Sequence, residues 1–456
     1  LAARGLGTFV LFLTLYATAY SGNTLLGYPG QAYRQGFSWV VSTGFMLSIV
    51  VVFHALAPRL RPIAIRGAFV TPGDWIRFRF AEHAHGRVLL LAVSLLMTVA
   101  LANYLFAQLK AMGELAEQVT AGAIPYAWGV VLLAGVILLY ETLGGMRAVA
   151  WTDAVQGIMM LFGLAALLEW ILSDTGGLEV LTLEILRVRP GAAAVPGAHE
   201  QLNWFSTIAL MGLASVIYPQ AIQRIYAARS ARVLRRSLAL MALMPLVTTL
   251  VVTLIGLAAI ARYPGLGDIE ADRVMPLLLA DWADQGGWPS LGALVVFLGA
   301  LAAIMSTADS VLLSLGSVVA EDLFGRSHRD ARTTRFGKRI AVVVMVAMTW
   351  LAISARGVTL WGVIELKMEL LIQCVPAFLI AIHWPRLRAG PACIGLAVGV
   401  ATAIAGVVLQ SNRLFGIHVG VIGVAINAAI ACIGSLIPRS STPSGQLEST
   451  RRAVKS

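Results

Sequence analysis

Residues 16–30 read Tyr16-Ala-Thr-Ala-Tyr-Ser-Gly-Asn-Thr-Leu-Leu-Gly-Tyr-Pro-Gly30. The stretch stands inside an apolar run, yet Ser21, Gly22, Asn23 and Thr24 are poor helix formers, so the helix is expected to break there. A second interruption lies at Ala214-Ser-Val-Ile-Tyr-Pro-Gln-Ala-Ile-Gln-Arg224. There Pro219 removes a backbone hydrogen bond and is expected to kink the chain. Counted along the sequence, these are the first and the sixth apolar runs. Proline and glycine are common in membrane helices in general. Two interruptions five runs apart are more specific, because matched breaks in two halves point to a transporter built from inverted repeats.

Working outward, the chain of 456 residues is 58% hydrophobic and 12% charged, with a mean hydropathy of +0.81. A soluble domain carries about 25% charged residues. Apolar runs of roughly 20 residues mark spanning helices. Twelve are expected, near 7–29, 36–57, 87–112, 126–144, 154–172, 205–227, 236–261, 290–320, 338–356, 359–384, 391–410 and 417–437. Alternation at period two is absent over these lengths, which argues against a β-barrel. The longest connections are 58–86, 173–204, 262–289 and 321–337, so residues 1–437 read as one helical membrane domain. The Ser-, Thr- and Arg-rich stretch 438–456 reads as a disordered cytoplasmic tail.

The net charge of +11 does not point to nucleic acid, because it is distributed by side of the membrane. With the N-terminus inside, 24 Lys and Arg residues fall on cytoplasmic segments and 7 on external ones. That asymmetry sets the orientation. An external connection is acidic instead, with Asp268, Glu270, Asp272, Asp281 and Asp284. Cys374, Cys393 and Cys432 lie in apolar runs without metal-ligand spacing and read as small core residues. No metalloprotease motif, nucleophile elbow or histidine cluster suggests an enzyme, and nothing implies an organic cofactor. No signal peptide is visible, and the first residue is Leu.

The eighth run carries Ala302-Ala-Ile-Met-Ser-Thr-Ala-Asp-Ser310 after an almost unbroken hydrocarbon stretch. An ionisable residue in lipid marks a functional site by default, and hydroxyls beside it are hard oxygen ligands suited to a cation. Ser-Thr pairs also bond back to the preceding turn. Asp309 is a candidate for the ion pathway, facing a vestibule or pairing with an arginine. In the tenth run Glu365, Glu369 and Gln373 recur at i, i+4 and i+8 on one face, with Lys367 on another. Residues near a span end snorkel to water. Glu369 and Gln373 lie deep enough to be candidates for solute binding or gating.

Several motifs in order resemble the sodium:solute symporter family. They are Gly144-Gly-Met-Arg-Ala-Val-Ala-Trp-Thr-Asp-Ala-Val-Gln-Gly157, Ala302–Ser310 followed by Glu321-Asp322-Leu323, Gly27-Tyr-Pro-Gly30, and Gln223-Arg224 with the basic loop after it. The resemblance runs from Phe9 to Ile437. Family members usually carry one more helix upstream, so the sequence reads as truncated at its N-terminus. The resemblance implies an all-α polytopic membrane protein of LeuT type. Runs one to five and six to ten would be inverted repeats, with two extra C-terminal helices.

The implied activity is sodium-coupled symport of a small organic solute, a carboxylate, amino acid or sugar, across the plasma membrane. Its partners would be the solute, the sodium ion and the bilayer, and not nucleic acid. A different role also fits the same domain, as the membrane input module of a signalling protein. By position, the implied sodium ligands are the carbonyls of Ala17, Tyr20 and Ala303 and the hydroxyls of Ser306 and Thr307. The aspartate matching Asp153 lies on the family's sodium exit route, although Asp153 also suits a helix N-cap. Asn23 and Thr24 match solute-contacting positions, and Tyr218 and Gln220 are their analogues at the second break. Where proline-transporting branches carry an acidic residue this chain has Ala19, a departure that weakens a proline assignment.

Overall fold

The computed structural model describes residues 5–143, 146–327 and 330–437, without the side chains of 140–152 and 331. Part of the Gly144–Gly157 motif and the expected tail 438–456 therefore lie outside the described residues.

The chain is helical almost throughout. α1 (Thr8–Ala19) stops at Tyr20, whose φ of −105° and ψ of 100° are extended. The Ser21 amide turns to Thr24 Oγ1 at 3.4 Å instead of continuing the helix. A wide turn over Asn23–Gly27 restarts it and leads into α2 (Tyr28–Gln35). A Cβ on Gly22 would stand 2.8 Å from Ile304 Cγ1 and 3.0 Å from Ala111 Cβ, so the break is wedged between two neighbouring helices. Gly36, at φ +67°, turns the chain into α3 (Val41–Arg66). Without that turn the apolar helical stretch Asn23–Arg66 would be one 44-residue rod. At 1.5 Å per residue that is about 66 Å, roughly twice a bilayer core.

A short helix, α4 (Pro72–Phe80), precedes the long α5 (Gly86–Val119), then α6 (Tyr126–Leu143) and α7 (Met146–Thr175). After α8 (Leu178–Val188) comes the second broken span. It comprises α9 (Ala198–Ser215) and α10 (Pro219–Ala227), which are bent by 54° from each other. Pro219 occupies the start of α10, where its missing N–H costs nothing. The expected kink inside a helix is thus a stop followed by a new start, with Tyr218 extended at ψ 124° between them.

α11 (Ala231–Met241) runs through a wide turn at Pro245–Thr249 into α12 (Leu250–Arg262). α13 (Val274–Asp284) leads to α14 (Gly287–Ser317), and then α15 (Ala331–Ser354) follows. α16 (Leu360–Leu371) gives way to tight and wide turns over Ile372–Cys374 and Pro376–Ile380 before the short α17 (Ala381–His383). The last pair is α18 (Ala389–Val408) and α19 (Val419–Leu436), joined by the hairpin β1 (Arg413–Leu414) and β2 (Ile417–His418).

Among the described residues eight helices are long and apolar enough to cross a membrane, and nine when α9 and α10 count as one span. Of the other three expected runs, α1 ends at the first break and α16 ends at its turn, while α6 is an apolar helix of 18 residues whose far end adjoins residues outside the described ones. Phe162, Val343 and Trp350 are more than 60% exposed on their helices, as lipid-facing side chains should be. α14 is the central post and packs on α5, α7, α1 and α10.

The two ends of the bundle are tied by different groups. At one, Arg34 reaches Asp272 at 2.7 Å, and Glu114 receives Lys110 at 3.4 Å, Arg273 at 2.9 Å and Arg356 at 3.3 Å. Burial raises the Asp272 carboxyl above the usual carboxylate range despite Arg34. At the opposite end, Asp322 accepts from Thr71 Oγ1 at 2.6 Å and the Gly73 amide at 3.3 Å, with Arg77 at 3.6 Å.

Candidate ion and solute site

The two breaks face one another beside α14, and two sites meet there. The first is a buried polar network. Asp153 is fully buried and accepts short hydrogen bonds from Thr14 Oγ1 and Ser306 Oγ. Arg224 Nη2 completes it at 2.8 Å. The same guanidinium donates to Ser310 Oγ at 2.7 Å, to Thr14 Oγ1 at 2.9 Å and to the Gln220 carbonyl at 3.1 Å. A buried ion pair is tolerable only when its remaining lone pairs and protons are satisfied in this way. α7 begins at Met146, so Asp153 is a helix-interior residue and not the N-cap.

Next to this network lie the oxygens expected to hold a cation. Thr307 Oγ1 donates to the Ala17 carbonyl at 3.3 Å, which brings α14 against the frayed end of α1. Ser306, one residue back, spends its proton on Asp153. A hydroxyl that has donated its proton keeps its lone pairs free for a cation. Tyr20 stands at the break itself, and Ala303 lies one turn before Thr307 on α14. Among the described residues no group of three or more His, Cys, Asp or Glu is arranged to hold a metal. The local chemistry is therefore carbonyls and hydroxyls, the ligands of a weakly bound hard cation.

The second site is a cavity of about 70 Å³ between the breaks. Its wall includes Asn23 and Thr24 from the first break, Tyr218 from the second, Tyr104 of α5 and Lys367 of α16. Tyr104 and Tyr218 stack at 5.6 Å, and the Tyr218 hydroxyl reaches Met368 Sδ at 3.2 Å. An aromatic cluster of Tyr28, Trp39, Phe45 and Trp361 separates the cavity from the Arg34 end, with Trp39 and Trp361 at 4.8 Å. The Asp153 network lies on the other side, below the α1 end of the break.

The remaining expected residues sit elsewhere. Gln220 is fully buried at the start of α10, its side-chain amide without a partner among the described residues, and it does not line the cavity. Glu369 and Gln373 face α19. Glu369 holds His418 Nδ1 at 3.0 Å and the Gly420 amide, while Gln373 Nε2 donates to the Gly420 carbonyl at 2.9 Å. Asp309 is 3% exposed on α14, between Ser306 and Ser310. The sequence reading gave no role to Thr14, Arg224, Tyr104 or Lys367. Arg224 and Lys367 carried a usable signal, since each is a cation inside an apolar run. Thr14 and Tyr104 carried none, because their places depend on packing between distant helices.

The sodium:solute symporter family model matches residues 1–399. The chain is 25% identical to sodium/proline symporter 2 of Staphylococcus saprophyticus, over 92% of this chain and 83% of that protein. It is 26% identical to the sodium/pantothenate symporter of Escherichia coli, over 78% of this chain and 72% of that protein. Among solved structures, it resembles the substrate-bound outward-open state of a Na+-coupled sialic acid symporter. That match has a TM-score of 0.75 at 17% identity, and covers 94% of this chain and 90% of the other.

Proposed function

The chain belongs to the sodium:solute symporter family, and from that premise we propose which residues carry the ion and the solute. It is a multi-pass membrane protein of the LeuT-type fold, a secondary transporter that couples movement of a small solute to sodium. The relatives named above transport proline and pantothenate with sodium. No observation favours a signalling-input role.

The sodium ion binds between α1 and α14, on the carbonyls of Ala17, Tyr20 and Ala303 and the hydroxyls of Ser306 and Thr307. One observation carries this assignment. Thr307 Oγ1 meets the Ala17 carbonyl in the last turn of α1, where the Ser21 amide has turned away to Thr24, while Ser306 is oriented by Asp153. Backbone carbonyls released by a helix break replace the hydration shell of the ion. The solute binds in the adjoining cavity, against Asn23, Thr24 and Tyr218. Glu369 and Gln373 act from outside the cavity wall, by tying α16 to α19, and Gln220 stands outside the wall at the start of α10.

Following the charge asymmetry, the Arg34 end faces outward and the Asp322 end faces the cytoplasm, as does the C-terminus. The plasma membrane is the site of action. Sodium arriving from outside bridges α1 to α14 and so favours the form in which the solute cavity is shaped. Thr14 and Arg224 belong to the two broken spans, whereas Asp153, Ser306 and Ser310 belong to the helices around them. Their network thus joins the two sets of helices on the inner side and must part before anything leaves inward. When Arg224 withdraws, the Asp153 carboxylate is left facing the ion and offers it a path to the cytoplasm. Asp309, three residues after Ser306, lies along the same path.

The test is sodium-dependent stabilisation of the purified chain, read against potassium. Ser306→Ala and Thr307→Ala should each raise the half-saturating sodium concentration about tenfold or more, which corresponds to roughly 1.4 kcal/mol per lost ligand. Unchanged sodium dependence in both variants removes the site.

A further inference from the structure

α16 carries three ionisable side chains within five residues, and the fold sorts them to opposite sides. Glu365 accepts from Arg413 Nη2 at 2.5 Å, and Glu369 is held by His418 at 3.0 Å and by the Gly420 amide. Both carboxylates are thereby occupied on the side of the β1–β2 hairpin and α19. Lys367 points the other way, into the solute cavity, and is 2% exposed. Its Nζ stands 3.6 Å from the centroid of the Tyr104 ring and 5.0 Å from that of Tyr218. Among the described residues these two ring faces are the groups that its charge meets, and no carboxylate is paired with it there.

Ring faces orient an ammonium group, but they return only part of the hydration that a buried cation gives up. An anion is the natural complement, and no Asp or Glu stands in the cavity wall to supply one. The rest of the wall is largely hydrocarbon and thioether, including Phe45, Ile49, Met211 and Ile364. A wall with a cation and no anion disfavours a zwitterion, whose ammonium would find no carboxylate. An apolar wall disfavours a sugar, whose hydroxyls would be left unpaired.

We propose that Lys367 is the anion-recognising residue of the solute cavity, and that the solute is a compact monocarboxylate with an apolar body. This deepens the symporter assignment and rests on it. The carboxylate sits on Lys367 in the angle between the Tyr104 and Tyr218 rings, and the apolar body lies against α3 and α9. Because both rings line the path between the two breaks, an anion drawn to Lys367 also draws α16 and α5 towards Tyr218 at the second break.

The full chain, purified in detergent, is melted in sodium chloride and in potassium chloride. The probes are the straight-chain acids acetate to hexanoate, the matching amides, proline and glucose. In sodium, an acid of the series should raise the melting temperature where its amide, proline and glucose do not. Lys367→Met should weaken that acid about tenfold or more, while Lys367→Arg retains part of the affinity. Sodium alone should stabilise the wild type and Lys367→Met alike, which shows that the variant is folded and reads the ion site separately. Equal effects of acid and amide, undiminished acid binding by Lys367→Met, or no response to any acid at millimolar concentration beside an intact sodium response each overturns the proposal. Loss of the sodium response in the wild type removes the ion assignment instead.

Discussion

At the first helix break the chain is held from outside, and at the second it is directed from within. Tyr20–Gly22 is pressed between Ile304 of α14 and Ala111 of α5, and the Gly22 amide is taken by Gln108 Oε1 at 3.0 Å. No larger residue fits, and the carbonyl of Ala17 is turned to Thr307 as a consequence. At the second break Val216 and Ile217 are also fully buried, but the turn itself, residues 215–219, holds no glycine. Tyr218 adopts the extended conformation that a residue before proline prefers, and α10 leaves at 54° to α9. What fixes α10 in place is its own far end, where Arg224 reaches across to Asp153. One break is therefore a socket shaped by neighbours, and the other is a hinge with a latch.

The strongest way to break this comparison is to remove the latch. Arg224→Ala leaves Asp153 buried with two hydroxyls and no cation, a loss expected to cost about 3–5 kcal/mol. The melting temperature should fall steeply, and sodium should restore part of it, because the ion supplies charge beside Asp153. Arg224→Lys keeps the charge but loses the fork that serves Thr14, Ser310 and Asp153 together, so it should fall between the two. A wild-type melting temperature for Arg224→Ala would show that α10 is held by packing alone, and the contrast with the first break would vanish.

This latch also shows where the sequence could and could not be read. Apolar run lengths, charge asymmetry and the two interruptions are local properties, so they gave the membrane class and placed both breaks within a residue or two. Ser306 and Thr307 stand out as candidate cation ligands, and Asp153 as a pathway residue, because the motifs that resemble the family place them in short runs of small and polar residues. The partner of Asp153 was not legible. Arg224 is 71 residues away, and only the start of α10 at Pro219, instead of a kink, aims it at α7. The charges of α16 misled for a different reason. Spacing put Glu369 and Gln373 on one face correctly, but periodicity does not say which face meets a cavity. That face belongs to Lys367, and Glu369 turns to His418 and Gly420.

A second test sharpens the socket. Gly22→Ala adds a Cβ 2.8 Å from Ile304 Cγ1 and 3.0 Å from Ala111 Cβ, with Gln108 Oε1 equally close. Overpacking of this kind costs about 1–3 kcal/mol. Its signature should be more specific than lost stability. Pushing the break away from α14 separates Ala17 from Thr307, so half-saturating sodium should rise along with the fall in melting temperature. Pairing the substitution with Ile304→Ala, which removes the Cγ1 nearest the new methyl, should bring half-saturating sodium back towards the wild-type value. If stability falls while sodium affinity stays at the wild-type value, the wedge supports the fold without shaping the ion site.

The smallest effect is expected at Pro219, where the sequence predicts a kink. Pro219 reads as a helix-breaking residue, yet in the fold it begins α10, at a position whose N–H has no helical partner to lose. Its contribution is to limit the unfolded chain and to favour the extended Tyr218, worth about 0.4–1 kcal/mol. Pro219→Ala should therefore lower the melting temperature slightly and leave the sodium dependence unchanged, because Arg224 still anchors the far end of α10. The same exchange made together with Arg224→Ala should cost more than the two singly, since the hinge then loses both its preset angle and its latch. Strict additivity in that double variant would mean that angle and latch act independently, and α10 would be better described as a rigid part of the bundle than as a hinged one.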